Sequence, residues 1–117
     1  MNKSNIKSVI WIGSSFRDLK GFPSEVQKDI GYALWVAQMG DKPDNAKPLK
    51  GLSGVVEVVS DFKTDAYRAV YVVKLGDTVY VLHAFQKKST RGIATPKKEM
   101  DVIRKRLREA RLLAQGK

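Results

Sequence analysis

The stretch VVEVVSDFKTDAYRAVYVVKLGDTVYVLHAF, residues 55–85, decides the fold. It contains three runs that are rich in β-branched and aromatic residues, at 55–60, 66–74 and 78–85, and this composition favours strands. The polar segments DFKTD and LGD separate the runs, and connections this short favour antiparallel hairpins. The sequence therefore predicts three antiparallel strands at the centre of the protein.

The residues before this unit predict one more strand and two helices. IKSVIWIG, residues 6–13, reads as a strand, and SSFRDLKGF reads as a short helix. PSEVQKDIGYALWVAQMG has apolar residues at helical spacing, a capping box formed by Ser24 and Gln27, and Gly40 at its end. Residues 40–54 are rich in Gly and Pro and predict a connection without regular structure.

A last helix follows, with Thr95 predicted as its N-cap and Pro96 at its first position. Its apolar positions form one stripe: Met100, Ile103, Leu107, Ala110 and Ala114. The element order is then βααβββα in a single domain spanning residues 1–117. We expect an α+β fold in which helices cover one face of a small, mostly antiparallel sheet.

Composition excludes several classes of function. The chain has 117 residues, 43% of them hydrophobic, which suits one domain with its own core. It has no cysteine, which excludes disulfides and thiolate chemistry and fits the cytosol. One histidine without cysteine offers too few ligands for zinc, and we expect no metal or other cofactor. No apolar run is long enough to span a membrane.

Positive charge is concentrated in the second half of the chain. The net charge is +10; residues 61–117 hold 14 cations against 6 anions, whereas residues 1–60 hold 8 against 6. Such a concentration indicates a polyanionic partner, either nucleic acid or an acidic protein. A solvated basic helix without a partner is the alternative.

Two strand residues are candidates for chemistry. Arg68 stands in an apolar strand, where an unpaired charge is costly, so it must reach water, a carboxylate or a ligand phosphate. A salt bridge to Glu57 on the neighbouring strand is the structural alternative. His83 is the other candidate, although a lone histidine in a strand is commonly a hydrogen-bonded packing residue. The period of two places His83 with Val79, Val81 and Phe85 on one side, and Lys87 joins them if the strand continues.

Several ordered segments resemble a known family. KPLKGLSGVVEV, YRAVYVV, YVLHAFQKKSTRGIATP and the closing cationic helix are similar to the RelE/HigB superfamily of bacterial toxins, specifically its phage-derived HigB-like branch. The resemblance covers nearly the whole chain and implies the same element order. It also implies a ribosome-dependent endoribonuclease that cuts mRNA without a metal, and a cognate antitoxin encoded beside it, usually a helix-turn-helix repressor.

The resemblance assigns roles to five cations of this chain. Arg68 and Lys87 would stabilise the phosphorane formed when the 2′-hydroxyl attacks the adjacent phosphate. Lys50, Lys88 and Arg91 would hold the RNA backbone. A site made mainly of cations can act because the ribosome positions the RNA.

Other positions match the family less closely. Glu57 and Val59 stand where well-known relatives carry lysines, and the tyrosine near the last helix is missing. His83 and Glu57 are therefore the candidates for the general base and acid, and Phe85 could stack on a splayed base. Two alternatives remain open: a DNA gyrase inhibitor of the related ParE type, and a basic nucleic-acid-binding domain without toxicity.

Overall fold

The computed structural model describes residues 6–73, 75–87 and 95–116, which form five strands and three helices. The elements are β1 (Ser8–Trp11), α1 (Ser15–Lys20), α2 (Ser24–Gln38), β2 (Ala46–Pro48), β3 (Val55–Phe62), β4 (Asp65–Val72), β5 (Thr78–Lys87) and α3 (Lys97–Gln115). The seven predicted elements are present in the predicted order. The α+β class is confirmed.

The five strands form one sheet in the order β1-β5-β4-β3-β2. Neighbouring strands are antiparallel except β1, which pairs in parallel with β5 from Ser8 opposite Thr78 to Trp11 opposite Val81. The mostly antiparallel sheet is therefore confirmed, with the first strand at one edge. Among the described helices, none is both long and apolar enough to cross a membrane.

The predicted connection at 40–54 was wrong in one respect, because it contains β2. This strand has three residues and pairs with β3, with Lys47 opposite Glu57 and Pro48 opposite Val56. So short a strand gives no periodic signal, and proline is tolerated in it because it lies at the edge of the sheet. β2 is therefore extended because its backbone pairs with β3, not because its own residues favour a strand.

The helices cover both faces of the sheet, not one face as predicted. α1 and α2 pack on one face through residues such as Leu19 and Ile30. α3 packs on the other through four members of the predicted stripe, Met100, Ile103, Leu107 and Ala110. The physical reason lies in β4 and β5, where residues 70–72 and 79–82 are buried in succession. Strands that are apolar on both sides need a cover on both sides.

An irregularity in β5 changes which side chains share a face. Val70 pairs with His83, whereas Tyr71 pairs with Val81, so Leu82 is an extra residue in a β-bulge. Val79 and Val81 therefore face α1 and α2. The predicted grouping of these valines with His83 and Phe85 was wrong, because the bulge shifts the alternation by one residue.

The helix ends differ from the predicted caps in detail. Gln27 does not complete a capping box with Ser24; its Nε2 instead donates to the carbonyls of Lys20 and Phe22, 3.0 and 2.9 Å away. These bonds join the end of α1 to the start of α2. Gly40 follows the end of α2 with φ of +90°, as predicted for a glycine there. Pro96 rather than Thr95 is the N-cap of α3.

Candidate active site

Among the residues that the structure describes, four acidic or basic side chains are buried on the face of the sheet that α3 covers. They are Glu57, Arg68, His83 and Lys87, each between 2% and 7% exposed; we call them the charged cluster. Strand register explains their proximity. Val70 of β4 pairs with Glu57 of β3 on one side and with His83 of β5 on the other. The structure thus brings together all four residues that the sequence predicted for catalysis.

Glu57 and Arg68 form an ion pair at the centre of the charged cluster. Arg68 Nη1 donates to Glu57 Oε2 at 2.8 Å, so the salt bridge considered as the alternative exists. Thr95 Oγ1 donates to the same oxygen at 3.3 Å, and Lys47 Nζ lies 4.0 Å from Oε1. Several donors around one carboxylate offset the cost of burying its charge.

Lys87 lies on the same face of the sheet at the end of β5. Burial lowers the pKa of its ammonium group, and the positive charge of Arg68 lowers it further. Glu57 opposes both effects, and Lys47 adds a smaller lowering of the pKa. Lys87 therefore gives up its proton more readily than an ordinary lysine.

Both ring nitrogens of His83 contact side chains of α3. Nε2 lies 2.7 Å from Glu99 Oε1, and Nδ1 lies 3.4 Å from Arg106 Nη1. A guanidinium group can only donate, so Nδ1 accepts and the ring proton on Nε2 is donated to Glu99. This geometry favours the interpretation of His83 as a hydrogen-bonded packing residue over that of a general base.

Arg106 connects α3 to β5 and to the turn after β1. Its Nη1 donates to the carbonyl of Leu82 at 3.1 Å and its Nη2 to Ser14 Oγ at 3.0 Å. Gly13 has φ of +58°, which favours glycine, and a Cβ atom there would lie 2.7 Å from Arg106 Nε and would displace the arginine side chain. Arg106 thereby fixes α3 against the bulge of β5 and the turn after β1.

A cleft of about 340 Å³ gives access to the charged cluster at Glu57. Its lining residues come from β2, the loop after it, β3 and the start of α3: Lys47, Pro48, Leu49, Lys50, Glu57, Thr95 and Met100. Lys47 and Lys50 are exposed. The cleft therefore combines a buried carboxylate with two accessible cations, a suitable setting for a phosphate group.

The remaining predicted residues differ in how they fit a site. Phe85 is buried and its ring stacks on that of His83, with centroids 4.9 Å apart. This packing argues against the predicted role of Phe85 as a stacking surface for RNA. Lys88 and Arg91 lie outside the described residues. No group of three or more potential metal-binding side chains is found within the described ranges.

The contribution of α3 to the site was not predicted from the sequence. Glu99 and Arg106 are seven residues apart, and Ile103 lies between them on the buried stripe. Charged residues at the spacing of an apolar stripe are a signal that could have marked them as facing the sheet. Thr95 carried no such signal, because its contact with Glu57 spans 38 positions.

Comparisons with known proteins agree with this architecture. The family model described as "Phage derived protein Gp49-like (DUF891)" matches residues 17–108. No curated protein matches the chain. A chain of the toxin-antitoxin complex RelBE2 from Mycobacterium tuberculosis has a similar fold, with a TM-score of 0.50 and 19% identity over 76% of this chain and 100% of that chain. The chain belongs to the Gp49-like family of phage-derived proteins, as its resemblance to the phage-derived RelE/HigB branch predicts.

Proposed function

We propose that this protein is the toxin of a toxin-antitoxin pair, and that it inhibits translation in the cytoplasm by cutting mRNA on the ribosome. The observation that carries the proposal is the charged cluster, in which a carboxylate and two cations are buried together beside a lysine-lined cleft. Family membership and the fold shared with a chain of a toxin-antitoxin complex support the toxin class. The proposed partner is an antitoxin of the helix-turn-helix type encoded beside it.

The proposed reaction is an attack of the RNA 2′-hydroxyl on the adjacent phosphorus. The bond from phosphorus to the 5′-oxygen breaks, which leaves a 2′,3′-cyclic phosphate and a free 5′-hydroxyl. One group must take the proton of the 2′-hydroxyl and another must protonate the 5′-oxygen. Cations must also stabilise the charge that develops on the phosphoryl oxygens.

Glu57 is the better of the two candidates for the general base. Its carboxylate lines the cleft, whereas the two nitrogens of His83 are engaged by Glu99 and Arg106. The contacts from Arg68 and Thr95 hold the Glu57 carboxylate in one orientation. A base fixed in this way spends no free energy on ordering when the RNA arrives.

Lys87 suits the role of the general acid. Burial and the charge of Arg68 lower the pKa of its ammonium group, and a proton held less tightly is transferred more easily to a leaving oxygen. Arg68 supplies the fixed positive charge, since a guanidinium remains protonated at any physiological pH. Lys47 and Lys50 would bind the RNA backbone along the cleft.

Single-turnover cleavage of mRNA on programmed ribosomes tests these roles. Lys87→Met and Arg68→Ala should each lower the cleavage rate by about 100-fold or more, as is typical when one transition-state donor is removed. Lys105→Met, which removes an exposed cation of α3, should mainly weaken binding to the ribosome and is the matched control. Circular dichroism would show that each variant is folded. A wild-type rate for Arg68→Ala would reduce the arginine to a structural partner of Glu57.

Induction of the chain in bacteria separates the proposed activity from its alternatives. Growth arrest should coincide with loss of full-length mRNA. Intact transcripts together with gyrase-dependent DNA breaks would overturn the proposal in favour of a ParE-like inhibitor. Binding to nucleic acid without cleavage or growth arrest would indicate a basic binding domain.

A further inference from the structure

Two leucines of α3 lie outside its buried stripe. Leu112 and Leu113 are 64% and 49% exposed, although the helix is buried along Met100, Ile103, Leu107 and Ala110. They border a groove of about 430 Å³ between the last turns of α3 and β1. Its lining residues are Ile10, Trp11, Ile12, Gly13, Glu109, Leu112 and Leu113, and we call it the β1–α3 groove.

Aromatic side chains also lie at the β1 edge of the sheet, where Trp11 packs against the core under α1 and α2. Trp11 lines the groove, and its ring lies 5.0 Å from the ring of Phe16, which is half exposed. β1 is an edge strand, and within the described residues its side away from β5 has no strand partner. An apolar groove beside an open strand edge is characteristic of a protein interaction site.

The charges around the groove indicate the chemistry of its occupant. Residues 97–115 contain seven cations and three anions. Lys105 and Arg108 precede Leu112 by seven and four residues, so they lie on the same side of the helix, and both are exposed. An occupant with apolar anchors and acidic flanking residues would complement this surface.

The same observations argue against two other occupants. A nucleic acid would fit poorly, because the described residues that line this groove include no cation to bind a phosphate, and Glu109 would repel one, whereas two lysines line the cleft at Glu57. A second copy of the chain would bring two molecules of net charge +10 together at a surface rimmed by cations. An acidic protein segment avoids both conflicts.

We propose that the β1–α3 groove is the docking site of the antitoxin, which inserts an amphipathic segment with apolar anchors and acidic flanks. This inference rests on the proposed function for the existence of the partner. The groove lies at the end of α3, whereas Glu99 near the start of the helix contacts the charged cluster. Leu112 is 13 residues beyond Glu99, about 20 Å along the helix axis. The anchors of the antitoxin therefore bind well away from the catalytic residues.

The test is binding of the purified chain to the protein encoded by the adjacent open reading frame. Leu112→Asp/Leu113→Asp should raise the Kd by about 30-fold or more, because truncating apolar anchors of an interface has effects of this size. Both leucines are exposed, so the variant should fold and cleave mRNA at the wild-type rate. It should then resist inhibition by the antitoxin.

A matched control comes from the other layer of the protein. Tyr32 and Trp35 of α2 form an equally exposed apolar pair, 64% and 50% exposed, and Tyr32→Ser/Trp35→Ser should bind the antitoxin like the wild type. The charge-reversed variant Lys105→Glu/Arg108→Glu should associate more slowly and lose salt dependence.

The outcomes separate the inference from the proposed function. Tight antitoxin binding by Leu112→Asp/Leu113→Asp overturns the groove as the docking site and leaves the toxin function standing. An unchanged association rate for Lys105→Glu/Arg108→Glu overturns the acidic character of the segment. If the wild-type chain does not bind the neighbouring gene product, both the partner and its docking site are wrong, whereas mRNA cleavage is judged on its own.

Discussion

The two faces of the sheet are built from the same strands but bury different chemistry. The face under α1 and α2 is apolar, with Val58, Ala69 and Val81 among its strand residues. The face under α3 buries Glu57 and Arg68, which directly precede Val58 and Ala69 in the sequence. Because alternate residues of a strand point to opposite sides, one face can be optimised for packing while the other carries charge.

The face under α3 is itself divided. Val70, Tyr80 and Leu82 pack against the middle of α3 and form a second apolar core. The charged cluster lies toward the start of the helix, where Thr95 and Glu99 contact it. The stability of the fold thus has two apolar sources, and the buried charges cost free energy that packing alone would not require. Buried charges of this kind are common at functional sites, and they support the proposed function.

The largest effect on stability should follow from breaking the ion pair between Glu57 and Arg68 on the face under α3. Glu57→Ala should lower the free energy of unfolding by about 3–5 kcal/mol, because it leaves Arg68 buried without its carboxylate. Urea denaturation measures the loss. Glu57→Leu/Arg68→Met should recover most of it, since a buried ion pair can be replaced by apolar residues of similar volume. A loss below about 1 kcal/mol for Glu57→Ala would show that the pair is solvated, contrary to its burial.

Much of this fold follows from local patterns, and much of the site does not. The three strands of residues 55–85 are indicated by their β-branched and aromatic composition, and α3 by its periodic apolar stripe; tertiary structure overrode neither signal. β2 was missed because three residues cannot show a period. Placement of helices on both faces was missed although the unbroken apolar runs of β4 and β5 indicate it.

The site depended on features that no local pattern encodes. The bulge at Leu82 turns His83 toward α3, and a single extra residue is invisible in a period of two. The alternation of β3 and β4 was sufficient to predict that Glu57 and Arg68 could pair. The contacts of Thr95, Glu99 and Arg106 join distant segments, so they follow from the docking of α3 rather than from sequence spacing.

The next largest effect on stability should come from Tyr71 at high pH, on the face under α1 and α2. Burial raises the pKa of Tyr71 from 10.0 to about 12. Above pH 10 the unfolded chain loses the tyrosine proton while the folded protein retains it, so this group makes stability fall as the pH rises. A shift of about two units corresponds to about 3 kcal/mol between these pH values. Tyr71→Phe should remove this fall in urea denaturation, and an unchanged pH profile would contradict it.

A weaker pH dependence of stability, with the opposite sign, should come from Lys87 in the charged cluster. Because the pKa of Lys87 in the folded protein lies below its ordinary value of 10.5, the folded state holds fewer protons than the unfolded state just below pH 10.5. Stability therefore rises with pH in this interval. Lys87→Met should abolish that rise, whereas Lys105→Met on the exposed side of α3 should keep it. A rise that survives in Lys87→Met would assign the effect to another group.

The smallest effect should come from ion pairs outside both faces. On the surface of α3, Asp101 lies 3.0 Å from Lys97 Nζ and 3.6 Å from Arg104 Nη1, and all three side chains are largely exposed. Water and salt screen such pairs, and their side chains lose entropy when they are held together. Asp101→Asn should therefore change the free energy of unfolding by no more than about 0.5 kcal/mol, and less in high salt. Glu57 and Asp101 are both carboxylates paired with an arginine. The ratio of the losses in unfolding free energy caused by Glu57→Ala and Asp101→Asn therefore measures how strongly burial increases the cost of breaking such a pair. A loss at Asp101 as large as that at Glu57 would mean that pairing, rather than the enclosure of charge beneath α3, sets the energetics of the charged face.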